Sequence, residues 1–264
     1  MENYPLLALV WTAVSVFLIG LSKGGIPVGP IALPLLILAW PGKTDPAKTA
    51  VAFMLPLLCV MDIFAIFFFR RNVDGKRLKP LLPGSIAGIV LGSILFVSRD
   101  SAWLSLPDRG IKLCIGIVGL SFVFYQAAKK WIMKKVMTDH ALPGILKGTA
   151  FGFGGGLVST LAHASGPIMQ MYLLPQGLAK MEFAGTTAMY FFMLNMLKLI
   201  PFTILGRIET GNLVLGAYML PLIPAGVALG YFLVKIIKTE HYTSLIYVIL
   251  FFTSITLIVK SIMG

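Results

Sequence analysis

Apolar segments long enough to cross a bilayer follow one another along almost the whole chain, at residues 47–69, 80–97, 109–128, 182–205, 212–234 and 242–262. A lipid interior offers backbone amides no water, so each segment must satisfy its own hydrogen bonds. Helices do this segment by segment. The chain therefore reads as an all-α polytopic membrane protein. A mean hydropathy of +0.91, with 58% hydrophobic and 12% charged residues among 264, agrees with that class. The net charge of +12 falls mostly in connecting loops, where it records orientation in the bilayer rather than nucleic-acid binding. Cys59 and Cys114 are the only cysteines; both lie in apolar segments and read as small buried hydrophobes, with no disulfide framework or metal pattern. The first apolar run lacks a basic leader and a small-residue cleavage site, so it is expected to remain in the mature protein.

Two segments break the pattern. Residues 5–22 end at Ser22-Lys23-Gly24-Gly25, and a short run at 29–40 opens with Gly29-Pro30-Ile31. Residues 143–161 lead to His163-Ala164-Ser165-Gly166-Pro167-Ile168, and a short run continues to 175. In a Gly-Pro pair the glycine permits a sharp turn. The proline starts a helix, because its missing N–H falls where a helix has no partner for one. A helix that starts in mid-membrane points unpaired N–H groups and a positive dipole end into the bilayer interior, which suits an anion. Whether 29–40 and 166–175 are re-entrant or spanning stays open at this level.

Both halves share one rhythm of long, break, short, long, long, long. Gly29-Pro30-Ile31 matches Gly166-Pro167-Ile168 at a separation of 137, Arg71-x3-Gly75 matches Arg207-x3-Gly211 at 136, and Pro83-x4-Gly88-x3-Gly92 matches Pro221-x4-Gly226-x3-Gly230 at 138. This is the mark of an internal duplication, with repeat 1 at about 5–128, a basic linker at 129–141 and repeat 2 at about 142–262. The two GxxxG motifs permit close helix packing, expected within the chain rather than between copies.

Charge sets the orientation. Arg70, Arg71, Lys76, Arg77 and Lys79 mark 70–79 as cytoplasmic, and Lys129, Lys130, Lys134 and Lys135 do the same for the linker. In the second half the bias moves to Lys235 and Lys238, whereas 206–211 carries Arg207 offset by Glu209. A bias that changes sides between halves predicts an inverted repeat of two five-segment units, with 98–109 and 206–211 outside. Lys260 runs mildly against this.

Gly152-Phe-Gly-Gly-Gly156, Ser165-Gly-Pro-Ile168, Tyr172-Leu-Leu-Pro175, Thr186-Thr187-Ala188 and a polar face ending near Lys198 resemble the sulfite exporter TauE/SafE family. Lys23 departs from it, standing where many relatives would carry small residues. The resemblance implies transport of a sulfur-containing anion such as sulfite or an organosulfonate across the cytoplasmic membrane. It implies a small anionic substrate, no enzymatic activity, and no cofactor or metal. A coupled proton or cation, the direction of transport and a homo-oligomer are left open. Two rival readings are a membrane-embedded enzyme and a non-catalytic subunit of a larger membrane complex. The enzyme would need a nucleophile and base, or metal ligands, which one histidine and one deep aspartate supply thinly.

The candidate substrate-binding residues are Lys23, Gly29, Pro30, His163, Ser165, Gly166, Pro167, Thr186, Thr187, Asn195 and Lys198, with Asp62 as counter-ion or coupling group. Charges inside spans usually face a cavity or one another. Lys23 and Lys198 compete with a bland alternative, snorkelling to an interface. Asn195 lies three residues before Lys198 and so shares its helix face. His163 has hydroxyl neighbours at Ser159, Thr160 and Ser165, the donors an oxyanion would want. Thr186, Thr187, Tyr190 and Gln170 are weaker, because span hydroxyls often bond their own backbone. Gly42-Lys43-Thr44 mimics the end of a phosphate loop, but Ile37 stands where its first glycine should be.

Overall fold

The structure, a computed structural model, describes residues 6–26, 28–40, 46–97, 106–136, 144–208, 210–236 and 240–263. They form helices α1 (Leu6–Lys23), α2 (Gly29–Ala39), α3 (Pro46–Phe69), α4 (Gly75–Leu78), α5 (Leu82–Val97) and α6 (Asp108–Val136) in the first half. The second half has α7 (Ile145–Ala162), α8 (Gly166–Leu173), α9 (Lys180–Ile204), α10 (Thr210–Met219), α11 (Leu222–Ile236) and α12 (Glu240–Met263). Short 3₁₀ turns at Lys79–Leu81 and Leu174–Gln176 join α4 to α5 and follow α8.

Among the described residues, four helical stretches are long and apolar enough to cross a membrane: Leu6–Lys23, Pro46–Phe69, Gly75–Phe96 and Lys180–Ile204. A fifth arises if Leu213–Met219 and Leu222–Ile236, bent by 48°, count as one span. The bend was not expected, since 212–234 reads as one continuous segment. It falls at Leu220-Pro221, where proline removes a backbone donor and favours a break. Helix α6 extends through Val136, into the basic linker. Of the loops read from charge, residues 98–105, 137–141, 209 and 237–239 lie outside the described residues, as do Gly42-Lys43-Thr44. Large apolar side chains such as Phe67, Val90, Phe124, Ile200 and Phe232 point outward, the surface a lipid solvent requires.

Lipid gives helices no hydrophobic reason to associate, so close backbone approach carries the packing. Gly20 and Gly24 of α1 meet Gly226 and Gly230 of α11; a Cβ added to Gly230 would lie 2.3 Å from the Leu21 carbonyl oxygen. Gly84, Gly88 and Gly92 of α5 meet Thr149, Phe153 and Thr160 of α7 in the same parallel sense. The GxxxG motifs thus pack inside the chain. The other extensive contacts join α3 to α9 and α6 to α12, so every one of these four pairs takes one helix from each half.

Helix starts are handled in two ways. The Asp108 carboxylate on α6 accepts from the Ala47 and Lys48 amides at the start of α3, at 2.9 and 3.1 Å. Asp74 likewise accepts from the Lys76 amide in α4. The start of α2, with proline in its first turn, has no side-chain cap. One helical face is also tied together. The Asp74 amide donates to Thr186 Oγ1 at 2.9 Å, Arg77 reaches Gln176 Oε1 at 2.6 Å, and Lys180 Nζ donates to the Val234 carbonyl. The loop after α3, the start of α9 and the end of α11 therefore share one side.

The glycine packing gives a direct test. Gly230→Leu should force α1 from α11 and strongly reduce the yield of folded, detergent-stable protein, since overpacking costs about 1–3 kcal/mol or more. Gly211→Ala, where an added Cβ meets nothing within 4 Å, should leave that yield unchanged. Thermal unfolding in detergent measures both.

Candidate functional site

Both breaks end a helix with a left-handed residue, but by different means. After α1 the amides of Gly25 and Ile26 bond back to Ser22 and Leu21, with Gly25 at φ 109. Glycine makes that turn without steric cost. After α7 the left-handed residue is His163, at φ 47, whose amide donates to the Ser159 carbonyl. A side chain there is strained by about 1–2 kcal/mol, and two ring contacts hold it. His163 Nε2 lies 2.8 Å from the Val51 carbonyl oxygen. A carbonyl only accepts, so Nε2 carries the proton and Nδ1 is left as an acceptor. Nδ1 takes a hydrogen bond from Lys198 Nζ at 2.9 Å.

Lys198 is fully buried. It donates to Nδ1 of His163, to the Ser159 carbonyl at 3.0 Å and to Ser159 Oγ at 2.9 Å. Those three acceptors match the three donors of an ammonium, and all of them are neutral. Lys198 thus does not snorkel. It does not line the cavity either, and stands behind Ser159 and His163.

The first half makes a related contact with different chemistry. Lys23 Nζ, at the end of α1, lies 2.5 Å from Asp62 Oδ1 on α3. Asn195 Nδ2, from α9, donates to Asp62 Oδ2 at 2.6 Å. Asp62 is completely buried, and its two partners stand between it and the cavity. The Lys23 ammonium also sits 4.8 Å from the centre of the Phe191 ring, a cation–π distance.

These groups surround a cavity of about 80 Å³ between the two breaks. Its polar wall is Ser22, Lys23, Ser159, His163, Ser165 and Asn195. Gly29 and Gly166, the first residues of α2 and α8, both line it. Ile19, Leu33, Met54, Leu58 and Phe191 close the apolar side. A second cavity of about 210 Å³ shares Ser22, Lys23, Gly166 and Phe191 with the first and extends to Gln170, Lys180, Thr187 and Val234.

Of the residues expected at the site, Lys23, Gly29, His163, Ser165, Gly166 and Asn195 line the inner cavity, and Thr187 lines the outer one. Pro30 and Pro167 follow the helix-starting glycines in α2 and α8. Lys198 and Asp62 stand one layer back. Thr186 lines neither cavity; its hydroxyl accepts from the Asp74 amide in the loop after α3. Tyr190 faces Ser85, 3.1 Å away. Ser159, expected as a hydroxyl neighbour of His163, also lines the inner cavity, whereas Ser22 and Phe191 are not singled out by the sequence reading; the signal for Ser22 is its place beside a break.

An all-helical membrane chain with a polar, cation-bearing cavity at paired helix breaks has the makings of a solute transporter. The model of the family described as Sulfite exporter TauE/SafE matches residues 8–257, and the chain belongs to that family of membrane transporters of sulfite-type anions. No curated protein and no solved structure matches it.

Lys198→Met would remove the buried charge and leave Ser159 and His163 without their donor. Sulfite binding to purified protein is expected to weaken at least tenfold, about 1.4 kcal/mol. Unchanged affinity by calorimetry would remove Lys198 from the site.

Proposed function

We propose that the protein carries a small sulfur oxyanion, sulfite or a sulfonate, across the cytoplasmic membrane by alternating access. The anion is held in the inner cavity against the starts of α2 and α8. The observation that carries this reading is the meeting of both helix starts in one cavity with the Lys23 ammonium. Each helix N-terminus contributes roughly half a positive charge, and the hydroxyls of Ser22 and Ser165 and the Asn195 amide add neutral donors. Lys23 is the cation that can touch the anion. Lys198 adds its charge through Ser159 and His163.

An inverted repeat fits the packing. Pairing α1 with α11 and α7 with α5 is one rule applied twice, the first helix of each half against a late helix of the other. Lys23 and Ser159 are separated by 136 positions, and so are Asp62 and Lys198. The contact between the end of the first helix and the third helix thus recurs, Lys23 with Asp62 and Ser159 with Lys198. In such transporters, rocking of one half against the other exposes a fixed site to each side in turn.

The outer cavity supports a cytoplasm-facing state. Lys180, Thr187 and Val234 line it, on the side that carries the loop after α3. That loop holds Arg70, Arg71, Lys76, Arg77 and Lys79, the strongest cytoplasmic signal in the chain.

Two experiments follow. An added Cβ at Gly166 meets nothing within 4 Å, so Gly166→Leu should fold and insert normally while filling the cavity. It is expected to abolish sulfite flux into proteoliposomes; normal flux would move the site elsewhere. Single cysteines at Lys76 and Lys235 should be labelled only from the cytoplasmic side and one at Gly206 only from outside. Labelling of Lys76 and Gly206 positions from the same side would contradict the inverted repeat.

A further inference from the structure

Asp62 is unusual in its position. It is a completely buried carboxylate one layer behind an anion cavity, bound to the one cation that lines that cavity's inner wall. Both its oxygens are engaged by cavity-lining side chains, Oδ1 by Lys23 at 2.5 Å and Oδ2 by Asn195 at 2.6 Å. The position 136 residues later holds Lys198 instead, and there three neutral acceptors surround the ammonium. One half therefore places a negative charge where the other places a positive one.

We infer that Asp62 is a specificity-determining residue that sets the charge of the transported anion to one. This rests on the anion-site reading above. Among the described residues the inner cluster holds two ammonium groups, Lys23 and Lys198, and one carboxylate; the helix starts add dipole ends but no net charge, which leaves one net positive charge for the substrate to neutralise. A monoanion such as hydrogensulfite or a sulfonate balances the site. A dianion such as sulfite or sulfate leaves a negative charge in a low-dielectric cavity, which is strongly disfavoured. Asp62 also divides the Lys23 ammonium between itself and the substrate, so that Lys23 meets the anion without facing an empty cavity unpaired.

The other ionisable groups around Asp62 do not change the balance. Cys59 lies on its own helix as a free thiol. His163, from α7, is neutral by its hydrogen bonds to Val51 and Lys198. The segment α2 has no ionisable residue. Tyr231 of α11 stacks on Phe68 and meets Phe69 edge-on at the C-terminal end of α3, and Asp108 of α6 caps its opposite end.

The test compares methanesulfonate, a monoanion, with sulfate, a dianion of similar tetrahedral shape, as fluxes into proteoliposomes. Wild type should move methanesulfonate at least tenfold faster than sulfate. Asp62→Asn keeps the shape and the Asn195 contact but removes the charge, and should lower that ratio at least tenfold. Asp62→Glu should retain the preference. An unchanged ratio in Asp62→Asn, or a preference lost equally in Asp62→Glu, would overturn the inference. Wild type moving neither anion would instead overturn the anion-transport reading itself. Should Asp62→Asn fail to fold, the double variant Lys23→Met/Asp62→Leu removes the buried pair together, a change cores often tolerate. One positive charge remains at Lys198, so the preference for the monoanion should persist at lower flux. Equal movement of sulfate by that variant would overturn the charge rule.

Discussion

A backbone that begins a helix inside a membrane leaves amide donors that lipid cannot satisfy, and each such group costs several kcal/mol when unpaired. The protein begins two short helices, at Gly29 and Gly166, after breaks in apolar segments, and turns both starts toward the same small cavity. Other features serve this constraint. The Gly25 and His163 turns aim the helices. Glycine contacts between α1 and α11 and between α5 and α7 bring the helices that carry the turns close to the opposite half. Asp108 and Asp74 cap helix starts away from the cavity, so that among these starts an uncapped end is kept for the site.

Buried charge is the second constraint, and the two halves meet it differently. Lys23 is neutralised by a carboxylate; Lys198 is only solvated, by three neutral acceptors. Ser159 and His163, which hold Lys198, stand between it and the cavity. His163 serves two ends at once. Its strained backbone turns the chain toward α8, and its ring fixes Lys198 against Val51 and so ties α7, α9 and α3 together.

Much of this was legible in the sequence because it follows from local pattern. Spans are written as apolar length, breaks as Gly-Pro after polar residues, and the close helix contacts as repeated glycines. Part of the cavity lining is legible for the same reason: Lys23, His163, Ser165 and Asn195 are polar side chains, and Gly166 a turn residue, at or facing a break. What failed depends on which helix stands opposite. Thr186 and Thr187 are neighbours in sequence, yet a helix turns them to different faces, one to the Asp74 amide and one to the outer cavity. Lys198 reads from the sequence as the charge that meets the anion, whereas in the fold its ammonium donates to Ser159 and His163. The bend at Leu220-Pro221 was hidden because the hydropathy on both sides is continuous. The 136-residue spacing that links Lys23 to Ser159 also links Asp62 to Lys198.

The most direct test is to see the anion in place. Selenite scatters anomalously and has the shape and charge states of sulfite, so a structure of the protein with selenite locates the selenium without ambiguity. The expected position is within hydrogen-bonding distance of Lys23 Nζ and between the starts of α2 and α8, with Ser165 and Asn195 around it. Selenium bound elsewhere in the protein, with this cavity holding none at concentrations that saturate binding, would contradict the site and the transport mechanism built on it.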